Sequence, residues 1–462
     1  VDMPAPLAKT AAERMPLRFE RRLLGGSRDR LSLSLGEVVS LNLLRRIDAS
    51  QAVITRGAVR FGGAAGEPDR DGVWVSGTAK ALDADGWLAM LGQREAGGRI
   101  AWGGVDLRIG ALDLFGRRYT HLGVSAMAAQ GGQWHATLSG EELQGQVTWL
   151  PQGRGKLVAR MKTLVIPEAA PQAVPAAQGT LPQSARELPA LDVTAEQFVN
   201  KGRPLGRLEL NAAAEGSDWR IEKLRIVNPE STFALDGNWQ VGTSPPRTRV
   251  NLRLEAADTG KLLARLGYPE GVRRGTSRLD GALSWNGAPY DIDYRSLSGN
   301  LVVNAAKGQF VKLEPGIGKL LGILSLQALP RRIALDFRDV FSEGFSFDEI
   351  MGSASIDRGI ARTDNLRIQG PAARVTMRGE VDLAQETQKL QVRISPHVSD
   401  TVSLAGALVG GPIAGVAAFL AQKVLKDPLD QMVSYEYSIT GSWSDPIVAP
   451  VERPVVASEP AP

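Results

Sequence analysis

Ile360-Ala-Arg-Thr-Asp-Asn-Leu366-Arg-Ile368, then Arg374-Val375-Thr-Met377-Arg-Gly379-Glu-Val381-Asp-Leu383, then Leu390-Gln-Val392-Arg-Ile394: apolar residues recur on alternate positions, with Arg, Asp, Glu, Thr and Gln between them. Side chains alternate across a strand with period two, so each run reads as a strand with one apolar and one wetted face. The breaks between runs, one at Gly370-Pro371, are too short for crossover helices. Neighbours are therefore expected to pair antiparallel, as a meander.

Working outward, most of the chain varies this theme. Leu31 to Leu35, Val38 to Leu44, Val53 to Phe61 and Val73 to Ala79 alternate in the same way, after a polar start. Strands are expected again from Arg99 to about Ile166, from Leu191 to Glu255, and from about Ser277 to Ile394. Two units interrupt them: Asp83-Ala-Asp-Gly-Trp87-Leu-Ala-Met-Leu91-Gly92 and Asp258-Thr-Gly-Lys-Leu262-Leu-Ala-Arg-Leu266-Gly267. Both read as short helices with Asp as cap and Gly as stop. Longer motifs repeat too. Leu224-Arg-Ile226 followed by Phe233 to Trp239 matches Leu366-Arg-Ile368 followed by Val375 to Val381, spacing included. A glycine recurs inside these strands, as in Val73 to Ala79 and Tyr437 to Trp443, where it permits a bulge or sharp coiling. The expected fold is mainly β: a long antiparallel meander curled into an elongated apolar groove, with a few short helices.

By composition shifts the chain divides into a first β-repeat region (1–166), a Pro/Ala-rich connector (167–190) and a second β-repeat region (191–394). An apolar helical segment (395–430), a final strand (431–448) and a disordered tail (449–462) are expected to follow.

The 462 residues carry 54 basic and 50 acidic side chains, a net charge of +4, with no basic stripe interleaved with aromatics, which argues against nucleic acid. Cysteine is absent, which excludes disulfides and thiolate chemistry. The chain opens on Val with no leader, as a piece of a longer protein or a processed form would.

Motifs that could carry chemistry are weak. Gly316-x-Gly318-Lys319 has Leu320 where a phosphate loop needs Ser or Thr. His121, His135 and His397 each stand alone, without a ligand at metal spacing. Ser395 to Asp400 holds triad residue types in a loop too short for triad geometry. Asp336 with Asp339, and Asp348 with Glu349, resemble paired glycosidase acids, but Asp336 and Asp348 alternate with Phe337 and Phe347 and so sit on a wetted face. No catalytic residue, cofactor or metal is expected. The uncharged run between Asp400 and Lys423 contains Gly406-x-x-x-Gly410 and is broken by Pro412, so it reads as two short helices on a sheet or bilayer surface. Leu408, Ile413, Val416, Leu420 and Val424 are its membrane-proximal candidates.

Three stretches carry a family resemblance. Ile350-Met-Gly-Ser-Ala-Ser-Ile-Asp, with the Arg-Ile-Gln-Gly-Pro and Met-Arg-Gly-Glu-Val-Asp that follow, resembles the C-terminal module of AsmA-like envelope proteins. Gly72-Val-Trp-Val-Ser-Gly-Thr78 with its helix, and Gly410-Gly-Pro-Ile-Ala-Gly-Val-Ala-Ala-Phe-Leu420 with Tyr437-Ser-Ile-Thr-Gly-Ser-Trp-Ser-Asp-Pro446, resemble the YhdP branch of that family. The similarity runs from about residue 14 and leaves out the connector and tail. It implies a periplasmic protein of a Gram-negative envelope, anchored in the inner membrane by a segment outside residues 1–462. It also implies a long β-groove that moves phospholipid toward the outer membrane, which the C-terminal helices could contact.

The residues allow two readings. One curled sheet could enclose lipid chains, or sheets could face each other as closed sandwiches that scaffold envelope assembly. On the first, the groove face is expected at Leu208, Leu210, Ile226, Leu252, Phe337, Phe347, Leu366, Ile368, Val375, Met377, Val381, Leu390, Val392 and Ile394. Tryptophans scattered along the meander, such as Trp134 and Trp149, either pack the strands or wall the trough.

Overall fold

Alternation on this scale produces strands nearly everywhere it occurs. The computed structural model describes residues 3–9, 14–48, 51–91, 100–168, 188–269, 271–311, 345–396 and 434–451. Among them are twenty-three strands and two α-helices. The Gly316-x-Gly318-Lys319 motif, residues 397–400 of the loop with triad residue types, the apolar run after Asp400 and most of the connector and tail lie outside the described residues.

Contacts divide the chain into two compact units, residues 1–228 with 234–248 and residues 229–233 with 249–462. The first contains β1 (Leu17–Leu23), β2 (Arg28–Leu35), β3 (Val39–Asp48), β4 (Gln51–Phe61), β5 (Gly72–Asp83), β6 (Trp102–Leu114) and β7 (Arg117–Ala128). It continues with β8 (Trp134–Ser139), β9 (Leu143–Leu150), β10 (Lys156–Ile166), β11 (Ala190–Asn200), β12 (Arg203–Glu215) and β13 (Asp218–Asn228). Each strand pairs with the next in sequence. β14 (Ser231–Gln240) and β15 (Arg247–Ala256) follow in the chain.

The first unit departs from a pure meander at three joins. β4–β5, β5–β6 and β10–β11 pair parallel. A parallel neighbour requires the chain to travel back to the end it started from. These joins have the longest connections in the unit: the loop at 62–71, the stretch containing helix α1 (Ala84–Leu91), and the connector. β1 is also absent from the sequence expectation. Its run Leu-Arg-Phe-Glu-Arg-Arg-Leu is dominated by charge, and every residue of it is exposed on the open side of β2.

The second unit follows the expected meander. β16 (Val272–Asn286), β17 (Ser298–Phe310), β18 (Phe345–Asp357), β19 (Ile360–Gln369), β20 (Ala373–Asp382), β21 (Thr387–Pro396), β22 (Tyr435–Ser442) and β23 (Pro446–Pro450) pair antiparallel in order. The last pair is a hairpin where one strand was expected. Its turn is set by Ser442, whose carbonyl and hydroxyl oxygens both accept from the Asp445 N–H, at 3.2 and 3.1 Å.

Both short helices start as their sequences require. The Asp83 carboxylate accepts from the Gly86 N–H at 2.8 Å, and Asp258 accepts from the Lys261 N–H at 3.0 Å at the start of α2 (Thr259–Arg265). Asp85 then ties α1 to the β6–β7 turn by accepting from the Phe115 and Gly116 N–H groups at 2.7 and 2.8 Å. Two of the recurrent strand glycines show why no other residue fits. Gly206 and Gly379 take φ of +115° and +140°, and a Cβ on either would stand 2.3 or 2.2 Å from the carbonyl oxygen of Val227 or Lys389. The ladder register shifts beside each of them.

Candidate functional site

The register of the first unit aligns its apolar positions from β1 to β13. Phe19 lies opposite Leu33, Leu33 opposite Leu41, Leu41 opposite Val59, Val59 opposite Val75 and Val75 opposite Val105. The line continues through Ala126, Ala136, Val147, Ala159, Val193 and Leu210 to Leu224 on β13. Two residues along each strand a second row runs beside it. Leu17, Leu35, Val39, Phe61, Gly77, Leu107 and Val124 lead on to Leu138, Gly145, Met161, Ala195, Leu208 and Ile226. Every position in both rows is apolar or glycine. A slip of one residue would turn a strand's apolar set to the other face. The register shifts of β3–β4, β9–β10 and β12–β13 fall outside these rows, between Leu44 and Arg45, Met161 and Thr163, and Asn211 and Ala212, so the alignment survives them. Twelve inter-strand steps of ~4.8 Å make each row roughly 58 Å long.

The rows differ in cover. In the second, Leu107, Met161, Ala195 and Leu208 are buried. In the first, Ala126 and Ala159 are buried, Leu33, Leu41, Val59, Val75, Val105, Val147, Val193 and Leu210 are half-buried, and Phe19 is 60% exposed. Val75, Val105, Val147 and Val193 pack against the buried cluster that holds Leu107, Met161, Ala195 and Leu208. From Leu33 to Val105, and again at Val147, Val193 and Leu210, the aliphatic side chains of this row are left partly open to water, and apolar patches of this kind mark binding surfaces.

The matching face of the second unit is closed. Ile350, Ile368, Val375 and Ile394 oppose one another in sequence, as do Leu366, Met377, Val392 and Tyr437. Val375, Leu390 and Val392 are each 1% exposed and belong, with Phe347, Ile368, Met377, Val381 and Ile394, to one buried cluster. Leu366 is half-buried against it. Burial pushes the Tyr437 phenol up in pKa, as it does Tyr119 in the first unit.

Of the residues expected to line a groove, Leu208, Leu210 and Ile226 therefore sit in the rows of the first unit, and Leu252 is half-buried on β15. Phe347, Leu366, Ile368, Val375, Met377, Val381, Leu390, Val392 and Ile394 sit in the second unit's cluster. Phe337, Leu408, Ile413, Val416, Leu420 and Val424 lie outside the described residues. The sequence alone does not single out the partly open row from Leu33 to Val193. Its signal is the alternation in the runs at 31–61 and 73–79, which marks each strand but not which residues stand opposite each other.

The opposite face is wet and paired. Lys223 donates to Glu209 at 2.6 Å and Arg393 to Glu436 at 2.7 Å, across neighbouring strands. Asp348 is exposed, as its alternation with Phe347 requires. His135 and Thr148 lie 3.1 Å apart (Nδ1 to Oγ1), and no group of side chains able to hold a metal occurs among the described residues. No helix among them is long and apolar enough to cross a membrane.

One charged group interrupts the apolar face. Asp29, two residues before Leu31 on β2, is 0% exposed and accepts from Arg21 Nε at 2.7 Å and from Arg45 Nε and Nη2 at 3.0 and 2.7 Å. The cover consists of the two guanidiniums themselves rather than a deep interior. Arg45 and then Arg21 hold the Asp29 carboxyl below the usual carboxylate range against a smaller cost of desolvation. Hydrogen bonds from Arg160, Lys223, Arg265 and Arg278 do the same for Asp192, Glu209, Glu230 and Asp280. A carboxyl with a depressed folded pKa contributes stability that is present above its unfolded value, near 4, and is lost as pH falls through the folded one. The urea midpoint is thus expected to hold between pH 7 and about 5 and to fall steeply below about 4. A midpoint that stays level down to pH 3 would contradict these pairings.

Comparison with known proteins identifies the family. The family model described as "YhdP protein" matches residues 1–448. Over 253 residues, 54% of this chain, the sequence is 30% identical to the intermembrane phospholipid transporter YhdP of Escherichia coli (strain K12), and the match covers 20% of that relative's length. No solved structure matches the chain.

Proposed function

We propose, from the premise that this chain belongs to the YhdP family, that it is a non-enzymatic stretch of lipid conduit in the Gram-negative envelope. Phospholipid acyl chains lie along the half-buried row from Leu33 to Leu210 and travel along it between inner and outer membrane. The observation that carries this reading is the unbroken alignment of apolar positions over thirteen strands, with one row left partly open to water.

The physics is that of solvent exclusion. A two-tailed phospholipid has about 30 methylenes, and hydrating them costs roughly 20 kcal/mol at ~0.8 per group. A strip of aliphatic side chains removes much of that cost without forming or breaking a bond. Because each step along the row offers similar side chains, no position holds the lipid much more tightly than the next. Such a profile suits movement better than storage.

The sealed face of the second unit favours a different role for that part. There the apolar residues stabilise a closed core, as the scaffold reading requires. Photocrosslinking side chains test the division. At Leu41, Val75 and Val147 they are expected to capture phospholipid in cells, and at Val375 and Val392 to capture none. Absence of lipid at the first three positions removes the conduit from the first unit. Capture only at Val375 and Val392 moves it to the second.

A further inference from the structure

The charged group at the end of β1–β3 has a composition that a structural ion pair does not need. Arg21, Asp29 and Arg45 share the face of Phe19, Leu33 and Leu41, because they continue the same alternate positions on the same three strands. Asp29 stands opposite Arg45, and Arg21 stands opposite Leu31, diagonal to Asp29. Two guanidiniums surround one carboxylate, leaving a net charge of about +1 on an otherwise apolar face. Arg45 spends both Nε and Nη2 on Asp29. Arg21 donates to Asp29 through Nε, and its side chain is 50% exposed, so its terminal nitrogens keep donors beyond that bond. Beside it on β1, Leu17, Phe19 and Leu23 are 65, 60 and 72% exposed. Charge and grease are therefore presented together, with an aliphatic row beginning one alternate position, about 7 Å, from the guanidinium.

We infer that Arg21, oriented by Asp29 and supported by Arg45, is the seat for the phosphodiester of a two-chain anionic lipid whose tails lie on the Phe19–Leu33–Leu41 end of the row. An arginine fork matches phosphate oxygens in planar geometry, and a phosphate would bring the local charge to neutral. Asp29 keeps the guanidinium in one orientation, so less side-chain freedom is lost when phosphate arrives. The inference rests on the lipid-conduit reading and adds to it a preference for headgroup charge at this end.

The test uses the full chain incubated with vesicles of equal phosphatidylglycerol and phosphatidylcholine bearing the same acyl chains, followed by mass spectrometry of the bound lipid. The wild-type chain is expected to enrich phosphatidylglycerol roughly two- to fivefold, the range an exposed charge pair supplies. Arg21→Gln is expected to return the ratio to that of the vesicles while total bound lipid stays within about twofold. Arg21→Lys, which keeps the charge, should retain most of the enrichment, and high salt should erase it. If lipid binds but the ratio is the same in wild type and Arg21→Gln, the headgroup seat is refuted and the conduit stands. If the wild-type chain binds no lipid, both fall.

Discussion

Glutamate placed at Val75, Val147 and Val193 together is expected to lower bound phospholipid by about two orders of magnitude while leaving the fold intact. All three belong to the half-buried row and occupy strands β5, β9 and β11, so they space the charges along its length. A carboxylate against an acyl chain loses part of its water. Full burial of an ion costs several kcal/mol, and a half-exposed site about 1. Three such sites sum to roughly 3 kcal/mol, which is about a hundredfold in affinity. All three pack against the first unit's buried cluster, so each charge is expected to cost the empty protein some stability, while their partial exposure lets the carboxylates turn their oxygens to water. Glutamate at Ser76 and Gln146, on the opposite face of the same strands, is the control and should leave lipid unchanged. Bound lipid measured by mass spectrometry, beside circular dichroism for the fold, decides it. Normal lipid content in a folded triple variant would mean that lipid does not run along this row.

The second large effect separates the two units. Leu390 is 1% exposed and stands between Gly379 and Ile439 in the closed cluster, so Leu390→Ala removes buried methylenes and leaves a hole. A loss of about 2–5 kcal/mol is expected. Leu41→Ala, on the half-open row, gives up contacts that water and lipid already share, and is expected to cost about 1 kcal/mol or less in the lipid-free protein. Urea unfolding of the two variants compares them directly. Equal losses would show that the open and closed faces are energetically alike, against the division of labour proposed above.

Much of the candidate surface is legible in alternation, because a period of two is a local property. Leu208, Leu210 and Ile226 could be placed on an apolar face from their own strands, and all three are aligned in the structure. Other features were hidden for definite reasons. β1 is masked by its charge: Arg18, Glu20 and Arg22 face water, and Arg21 interrupts the apolar side. Asp29 next to an apolar run looks like the end of a strand, and only the approach of Arg21 and Arg45 from two neighbouring strands turns it into a charged group of defined geometry.

By itself the sequence determined that the chain would be built of one-faced strands, that Asp83 and Asp258 would start short helices, and that the strands from Phe345 to Pro396 would form a meander. Each follows from residues near one another, through side-chain alternation, a capping carboxylate or a connection too short to cross over. Only the tertiary structure decided that β4, β5 and β6, and again β10 and β11, run parallel, and that thirteen strands place their apolar residues in line. It alone also decided that the row in the first unit stays half-open while its counterpart in the second is sealed. Those outcomes depend on the path of long connections and on which surfaces come to cover one another, and no local period encodes either.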